Sequence, residues 1–380
     1  MTEKVFEKQD LMRFVNEPLP SQYQRIMTKI IEAISWTNGD IAIAFSGGKD
    51  SALMLDMYCD ILSSLFPTLK DKPIKVMWAN TTNETKAMLE YVPFFIKRCE
   101  SKYDVTIDLT EVTPEKGKNI VSVMRDEGLP FVSKMVSGTL RKIRNSMDEN
   151  GVTYDDIKDL HKPTLYCRDA LREMGLSDTT VIAMTGWSNK LNDFGTGFIL
   201  ANQWLPLLDI KNLTGCDIEF SEKCCNILKK EPVARLNYPN IMVGEQAVES
   251  RTRESAWLKT GCNYKLPDGN VKSKPLGAVS LDAILYSIKE REIPLSPDYG
   301  EVVYCNTENC YKCTKAQRTG CSLCGFGIKY DPQRFVRLQE TEPAKVAFAF
   351  KPYRDGGLGY KEVCEVLNKH CGLSIAIPKV

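Results

Sequence analysis

Ile41-Ala42-Ile43-Ala44-Phe45-Ser46-Gly47-Gly48-Lys49-Asp50-Ser51 decides the fold. Its five leading apolar residues predict a buried parallel strand. Ser46–Ser51 follows as a tight glycine-rich loop, and Ala52–Leu65 carries the apolar spacing of an amphipathic helix. A strand, a glycine-rich turn and a helix N-terminus together make an anion cradle. Gly47 and Gly48 let the backbone approach a phosphate, and the first free N–H groups of the helix point at it. Ser46 and Ser51 add hydroxyl donors and Lys49 adds positive charge. The loop is neither the G-x-x-x-x-G-K-[ST] of the mononucleotide P-loop nor G-x-G-x-x-G.

Outward from this point the pattern repeats. Residues 1–38 predict a helical lead-in, periodic over Tyr23–Trp36. Pro73–Ala79 is a second apolar strand and ends in Asn80-Thr81-Thr82-Asn83-Glu84. Open α/β sheets bind ligands at the C-terminal ends of their strands, so Asn80 and Thr81 are candidate nucleotide contacts. Glu84–Tyr103 predicts a helix, Val105–Thr110 a third strand, and Lys116–Gly128 and Ser137–Met147 two helices. This is the doubly wound α/β pattern, with a mostly parallel sheet.

Asp148–Leu160 is charged and predicts a surface excursion, Val181–Trp187 another buried strand, and 188–215 an irregular, substrate-facing insertion. Ser221–Leu236 predicts a helix with Ser221 as N-cap, Asn240–Gly244 a strand, and Leu281–Glu290 a helix. Gly300–Gly327 is cysteine-rich, and Ala344–Lys369 is helical with a break at Asp355–Gly359. The predicted organisation is a lead-in over 1–38, a nucleotide-binding α/β domain over 39–300, and a cysteine-rich segment with a helical region over 301–380.

The 380 residues are 43% hydrophobic with no long apolar run, which excludes a helical membrane protein. The polar start MTEKVFEKQD is unlike a signal peptide, so a cytoplasmic placement is expected. A net charge of +1 leaves no bulk basic field; nucleic-acid contact would rest on patches such as Arg141-Lys142-Ile143-Arg144 or Lys229-Lys230. Solvated helix faces explain those runs equally well. The two histidines, His161 and His370, sit in no motif.

The fourteen cysteines are unevenly placed. Cys59, Cys99 and Cys364 fall on helical patterns as small core residues. Cys224-Cys225 and the distant Cys321-Ser-Leu-Cys324 can present four thiolates, which suit a [4Fe–4S] cluster or zinc. Neighbouring residues of a strand face opposite sides, whereas on a helix they can reach two irons of one cluster. The rival grouping is Cys310-x2-Cys313 with Cys321-x2-Cys324, a zinc knuckle. After the strand at 240–244, Glu249, Ser250 and Arg253 can reach a substrate phosphate, Arg253 by its bidentate fork. A capped helix start with surface charge is the plainer alternative.

Ser46–Ser51 resembles the SGGxDS pyrophosphate loop of the PP-loop ATP pyrophosphatases, which cleave ATP between its α and β phosphates. The later segments Lys223–Pro232 (KCCNILKKEP), Gly244–Arg253 (GEQAVESRTR) and Arg318–Gly327 (RTGCSLCGFG) resemble the iron–sulfur branch of the phosphoadenosine phosphosulfate (PAPS) reductase family. That family includes adenylylsulfate reductases and DNA phosphorothioation sulfurtransferases, and the similarity spans 41–327. It implies an adenine nucleotide alpha hydrolase-like fold and an enzyme. It also implies a [4Fe–4S] cluster on Cys224, Cys225, Cys321 and Cys324, with zinc as the alternative. Catalysis would rest on Lys49, Asp50 and Arg253.

A complete loop implies ATP, with Mg²⁺ near Asp50 neutralising the leaving pyrophosphate. Adenylation would then be coupled to sulfur transfer. The partners would be a sulfur donor such as a cysteine desulfurase and an acceptor, a nucleic acid among them. Two further readings stand beside it: a sulfonucleotide reductase that releases sulfite, and a non-catalytic nucleotide-binding protein. The reductase branch needs a mobile Cys-Gly-Leu-His tail. Here His370-Cys371-Gly372-Leu373 is followed by Ser374, and SIAIPKV predicts a docking strand.

Overall fold

The computed structural model describes residues 5–187 and 198–379. The chain divides into two compact units. The first runs to Asn80 and resumes over Glu84–Thr113 and Glu231–Gly320; the second holds Thr81–Asn83, Pro114–Lys230 and the chain from Cys321 onward. The stretch 39–300 is therefore shared between two units, with the crossings near residues 80, 114, 231 and 321.

The described residues form ten strands: β1 Ala42–Ala44, β2 Ile74–Ala79, β3 Ile107–Val112, β4 Phe131–Val132, β5 Ile241–Val243, β6 Asn263–Lys265, β7 Val271–Ser273, β8 Val302–Cys305, β9 Cys310–Cys313 and β10 Gly325–Phe326. In the first unit six of them form one sheet in the order β3-β2-β1-β5-β7-β6. All neighbours are parallel except the β6–β7 edge pair. The fold is α/β. Ile43 lies opposite Val76 on one side and Met242 on the other, and all three are fully buried. Such strands are covered on both faces, which is why they read as unbroken apolar runs. The Leu19–Thr37, Lys49–Leu65, Lys86–Tyr103 and Leu281–Glu290 helices supply much of the rest of this core, through Ile26, Leu53, Val92 and Ile284.

The sheet changes direction at β1. The chain moves outward from β1 to β2 and β3, then returns to place β5 on the other side of β1. The loops after β1 and β5 thus flank a topological switch point, where open α/β sheets form their ligand crevice.

The second unit is mainly helical around its own core, which includes Leu140, Ile143, Leu171, Phe335 and Tyr360. Its two-stranded sheet pairs β4 with β10 in parallel. Of Val181–Trp187, expected as a strand, Val181–Thr185 belongs instead to the Asp178–Thr185 helix. Ser177 accepts the Thr180 N–H at 3.3 Å and Gly186, at φ 79°, ends the helix. A short apolar run fits strand and helix alike, and here the caps decide.

The expected Ser221–Leu236 helix is present only in part. Ser221 does accept the Lys223 N–H at 3.1 Å, but Asn226–Lys230 is a widened π turn before the short Glu231–Ala234 helix. Pro232 has no N–H to give a carbonyl one turn back, and its ring crowds that turn, so the helix opens there.

The 148–160 stretch is anchored by Ile157, fully buried on the Tyr154–Ile157 helix. Of the expected 188–215 insertion, 188–197 lies outside the described residues, while Trp204 and Leu207 are core residues of the second unit. Among the described residues, 374–379 joins no sheet. It is held by Ile375 N–H to Asn368 Oδ1 at 2.7 Å and Ala376 N–H to the Pro332 carbonyl at 3.0 Å. Among the described residues no helix is long and apolar enough to cross a membrane.

Candidate functional site

In the first unit β1 ends at Ala44 and the Lys49–Leu65 helix begins at once, so Ser46–Gly48 has to turn the chain within three residues. Gly47 permits this with φ 71°. A Cβ there would also lie 2.2 Å from the Met88 sulfur. The turn is braced from within: the Ser51 hydroxyl receives the Ser46 N–H at 3.1 Å and donates to the Gly48 carbonyl at 2.9 Å. The N–H groups of Asp50 and Ser51 lie in the helix's first turn and have no carbonyl behind them. Strand, glycine turn and helix N-terminus thus follow one another directly.

Gly47→Ala should lower stability by about 1–3 kcal/mol through backbone strain and the clash with Met88. Thermal unfolding reads this directly; an unchanged midpoint would contradict it.

Lys49 is buried, its side chain 4% exposed, with Nζ 3.1 Å from a carboxylate oxygen of Asp50. The other Asp50 oxygen accepts Gln246 Nε2 at 2.9 Å. Gln246 lies just past β5, so the two loops of the switch point meet through this bond. They meet in backbone as well: a Cβ on Gly244 would come within 3.2 Å of the Asp50 carbonyl carbon. The Lys49 N–H donates to the Tyr299 hydroxyl at 3.2 Å, and Thr319 donates to that same hydroxyl at 2.8 Å. Burial pushes the Tyr299 phenol up, so it stays protonated. Nothing in the sequence around Gln246, Tyr299 or Thr319 marked them as loop partners; each comes from a distant element.

Asn80 gives its side-chain N–H to Glu111 at 2.8 Å. Ser250 caps the Arg251–Thr260 helix by accepting the Arg253 N–H at 3.3 Å. Arg253 is not an open fork: it pairs with Glu249, which also receives Arg318. One carboxylate between two guanidinium groups leaves the trio with a net positive charge beside the β5 loop.

The second unit brings the four named cysteines into one neighbourhood. Cys224 and Cys225 start the turn that widens at Asn226, and adjacent helical side chains can serve one side of it. Cys321 and Cys324 bracket a turn closed by the Cys324 N–H to the Cys321 carbonyl at 3.0 Å. Thr81 lies with them, its hydroxyl 3.5 Å from the Cys321 sulfur. Ser322 donates to Asn83 Oδ1 at 2.7 Å, and Arg334 donates to the Cys321 carbonyl at 2.8 Å.

The four thiols act on one another. The Cys224 thiol is held up by its hydrogen bond to Cys225, then by burial, with Cys324 and Cys321 adding to it. Cys225 is held down, first by that same bond and then by the Lys134 and Lys229 ammonium groups. Burial pushes Cys324 up to about 12, against the pull of Arg334.

Among the described residues no three His, Cys, Asp or Glu side chains are close enough to hold a single metal ion. One zinc needs all its sulfurs about 2.3 Å away. A four-iron cube takes each thiolate at a separate corner. The zinc-knuckle grouping fails locally. Cys310 and Cys313 are three apart on the regular strand β9, so their side chains leave opposite faces.

The run Arg141–Arg144 is partly spent within the unit. Arg141 donates to both oxygens of Glu222 at 3.2 and 2.6 Å, and Arg144 to the Ile218 carbonyl at 2.7 Å. Cys371 is the C-cap of the Tyr360–His370 helix and is 3% exposed, with its thiol pushed up to about 12 by burial.

Comparison with known proteins finds a similarity over part of the chain. No curated protein matches it. One similar solved structure is the PAPS reductase from Candida auris in its phosphate complex, at 12% identity, covering 70% of this chain and 81% of that one, with a TM-score of 0.31. Residues 40–146, which run from the start of β1 into the Lys134–Asn150 helix, match the family model described as the phosphoadenosine phosphosulfate reductase domain. Members of that family are enzymes, and residues 40–146, which contain the Ser46–Ser51 loop, are what this chain shares with it.

Proposed function

We propose that this enzyme binds ATP at Ser46–Ser51, adenylates a substrate with release of pyrophosphate, and couples that step to sulfur transfer. The observation that carries the reading is the complete Ser-Gly-Gly-Lys-Asp-Ser loop at the switch point between β1 and β5. A sulfonucleotide offers no β and γ phosphates to such a loop. ATP does. A substrate oxygen attacks the α-phosphorus, the bond to the bridging oxygen of pyrophosphate breaks, and the adenylated centre becomes electrophilic toward sulfur.

In this scheme the N–H groups of Asp50 and Ser51 face the leaving phosphates. Lys49 exchanges its Asp50 partner for pyrophosphate oxygens. The freed Asp50 carboxylate, still oriented by Gln246, supports Mg²⁺. Arg253 reaches phosphate only by leaving Glu249, for which Arg318 remains a second partner.

In the second unit Cys224, Cys225, Cys321 and Cys324 would hold a [4Fe–4S] cluster, one iron to each thiolate. When bound it supplies redox-active iron–sulfide chemistry. Lys134, Lys229 and Arg334 offset the negative charge that four thiolates bring. The sulfur donor would be a protein such as a cysteine desulfurase, and a nucleic acid is one acceptor class. A reducing compartment such as the cytoplasm suits so many free thiols.

The family match keeps a second reading in view, reduction of an adenylylsulfate by attack of a cysteine thiolate on sulfur with release of sulfite. Cys371 would be that nucleophile. Its burial, its protonated thiol and the docked tail after it argue against the role. Cys371→Ser should leave ATP-dependent turnover within about twofold of wild type, as a conservative swap away from the chemistry does. Sulfite released from adenylylsulfate by the wild type, and lost in Cys371→Ser, would overturn the ATP reading in favour of the reductase.

A further inference from the structure

The β8–β9 hairpin carries chemistry that the nucleotide and cluster readings leave unused. β8 and β9 run antiparallel with Val302 opposite Cys313, Val303 opposite Lys312, Tyr304 opposite Tyr311 and Cys305 opposite Cys310. Side chains directly opposite share a face, and faces alternate along each strand. Val302 and Cys313 are buried in the core of the first unit. Cys305 and Cys310 lie three positions along each strand, on the other face, together with Val303 and Lys312. Both thiols are free and partly exposed.

Directly opposed residues of an antiparallel pair have Cα atoms about 4.5–5.5 Å apart. A disulfide spans Cα separations of about 4.4–6.8 Å. The spacing of opposed residues thus falls within the span of a disulfide. Asn306–Asn309 joins the strands, and Asn309 takes φ 53° to make the turn.

We propose that Cys305 and Cys310 form a redox-active dithiol that exchanges with external disulfides by closing a cross-strand bond. Cys305 is the attacking thiol and Cys310 the resolving one. The Cys305 sulfur lies 3.1 Å from the Thr307 hydroxyl, and the loop backbone around Glu308 adds a donor. Lys312, diagonal to Cys305 on the same face, bears positive charge on both thiols while pairing with Glu308. These contacts favour the Cys305 thiolate, in the order Thr307 hydroxyl, Glu308 N–H and then Lys312.

The step balances. The Cys305 thiolate attacks one sulfur of an external disulfide, the disulfide breaks, and the first thiolate leaves and takes a proton from water. Cys310 loses its proton and attacks the Cys305 sulfur. The Cys305–Cys310 bond forms and the second thiolate leaves. The protein dithiol loses two electrons and the external disulfide gains them. The site is independent of the ATP reading and of the four cysteines of the second unit.

Oxidised glutathione is the probe, applied to the full chain under anaerobic conditions, followed by acid quenching, alkylation and tryptic mapping. The tryptic peptide 292–312 carries Cys305 and Cys310 and no other cysteine. In wild type this peptide should lose both alkylation sites together, with no glutathione attached, at a redox ratio where Cys59 and Cys99 on the buried helices still alkylate. Cys310→Ser should retain one glutathione on Cys305. Thr307→Val should slow adduct formation several-fold, because the rate follows the thiolate fraction. The proposal is overturned if the wild-type peptide keeps both thiols, or carries glutathione on either without closing the bond. Equal adduct rates at the two positions in Cys305→Ser and Cys310→Ser would overturn the assigned order of attack.

Discussion

Lys49→Ala is expected to reduce formation of AMP and pyrophosphate from ATP by about 10²–10³-fold, the usual loss when one charge-stabilising donor leaves a transition state. Lys49 is the only cation of the loop, its ammonium is nearly buried, and its sole charged neighbour along the loop is Asp50. A charge in that position is preorganised: it needs little solvent rearrangement to turn from Asp50 to a phosphate oxygen. Truncation would also leave Asp50 without its partner and open a void, so Lys49→Met, of similar length, separates lost charge from lost packing. Asp50→Asn should fall by a comparable factor and should lose the response to Mg²⁺, since the amide still accepts Gln246 but carries no charge. The measurement is steady-state product release, with far-ultraviolet circular dichroism to check the fold. Wild-type turnover in folded Lys49→Met would remove the loop from the mechanism.

The second large effect concerns the cysteines. Anaerobically purified protein should hold iron and inorganic sulfide and absorb broadly near 400 nm, a position typical to within about 20 nm for this cluster class. Cys225→Ser or Cys324→Ser should remove most of the iron and the band. Cys310→Ser and Cys313→Ser should keep both, because those side chains leave opposite faces of β9. The two groups of variants must differ for the assignment to stand. Stoichiometric zinc in place of iron, or iron lost from Cys310→Ser, would transfer the metal to other ligands.

Local signals carried much of the fold. The strand and loop at 41–51, the helices beginning near Lys49, Lys86 and Leu281, and the buried strands at 74–79 and 241–243 follow from apolar period and glycine placement. What was not legible depends on distant residues. Val181–Met184 has an apolar run that fits strand or helix, and only Ser177 and Gly186 settle it as helix. The π turn at Asn226–Lys230 follows from Pro232, a residue several places downstream of the cysteines it affects.

At the candidate site, residue types were readable but partners were not. Lys49 and Asp50 could be named, yet their mutual pairing and the Gln246 and Tyr299 bonds need strands to be brought together. For Arg253 the sequence leaves a phosphate fork and a capped helix start with surface charge both open, and the structure pairs it with Glu249 beside Arg318 on the Ser250-capped helix. Thr81 and Asn80 are neighbours in sequence, but Thr81 belongs with the Cys321 turn while Asn80 closes on Glu111. The division of the chain between units at that bond has no mark in composition.

The central claim is that this loop serves ATP rather than an adenylylsulfate, and one measurement tests it most directly: calorimetric titration of anaerobically purified protein with Mg·ATP and, separately, with adenylylsulfate. The account predicts that Mg·ATP binds at least about tenfold more tightly, a difference of about 1.4 kcal/mol, and that this advantage disappears in Lys49→Met. Tighter binding of adenylylsulfate, with Mg·ATP binding unaffected by Lys49→Met, would contradict it.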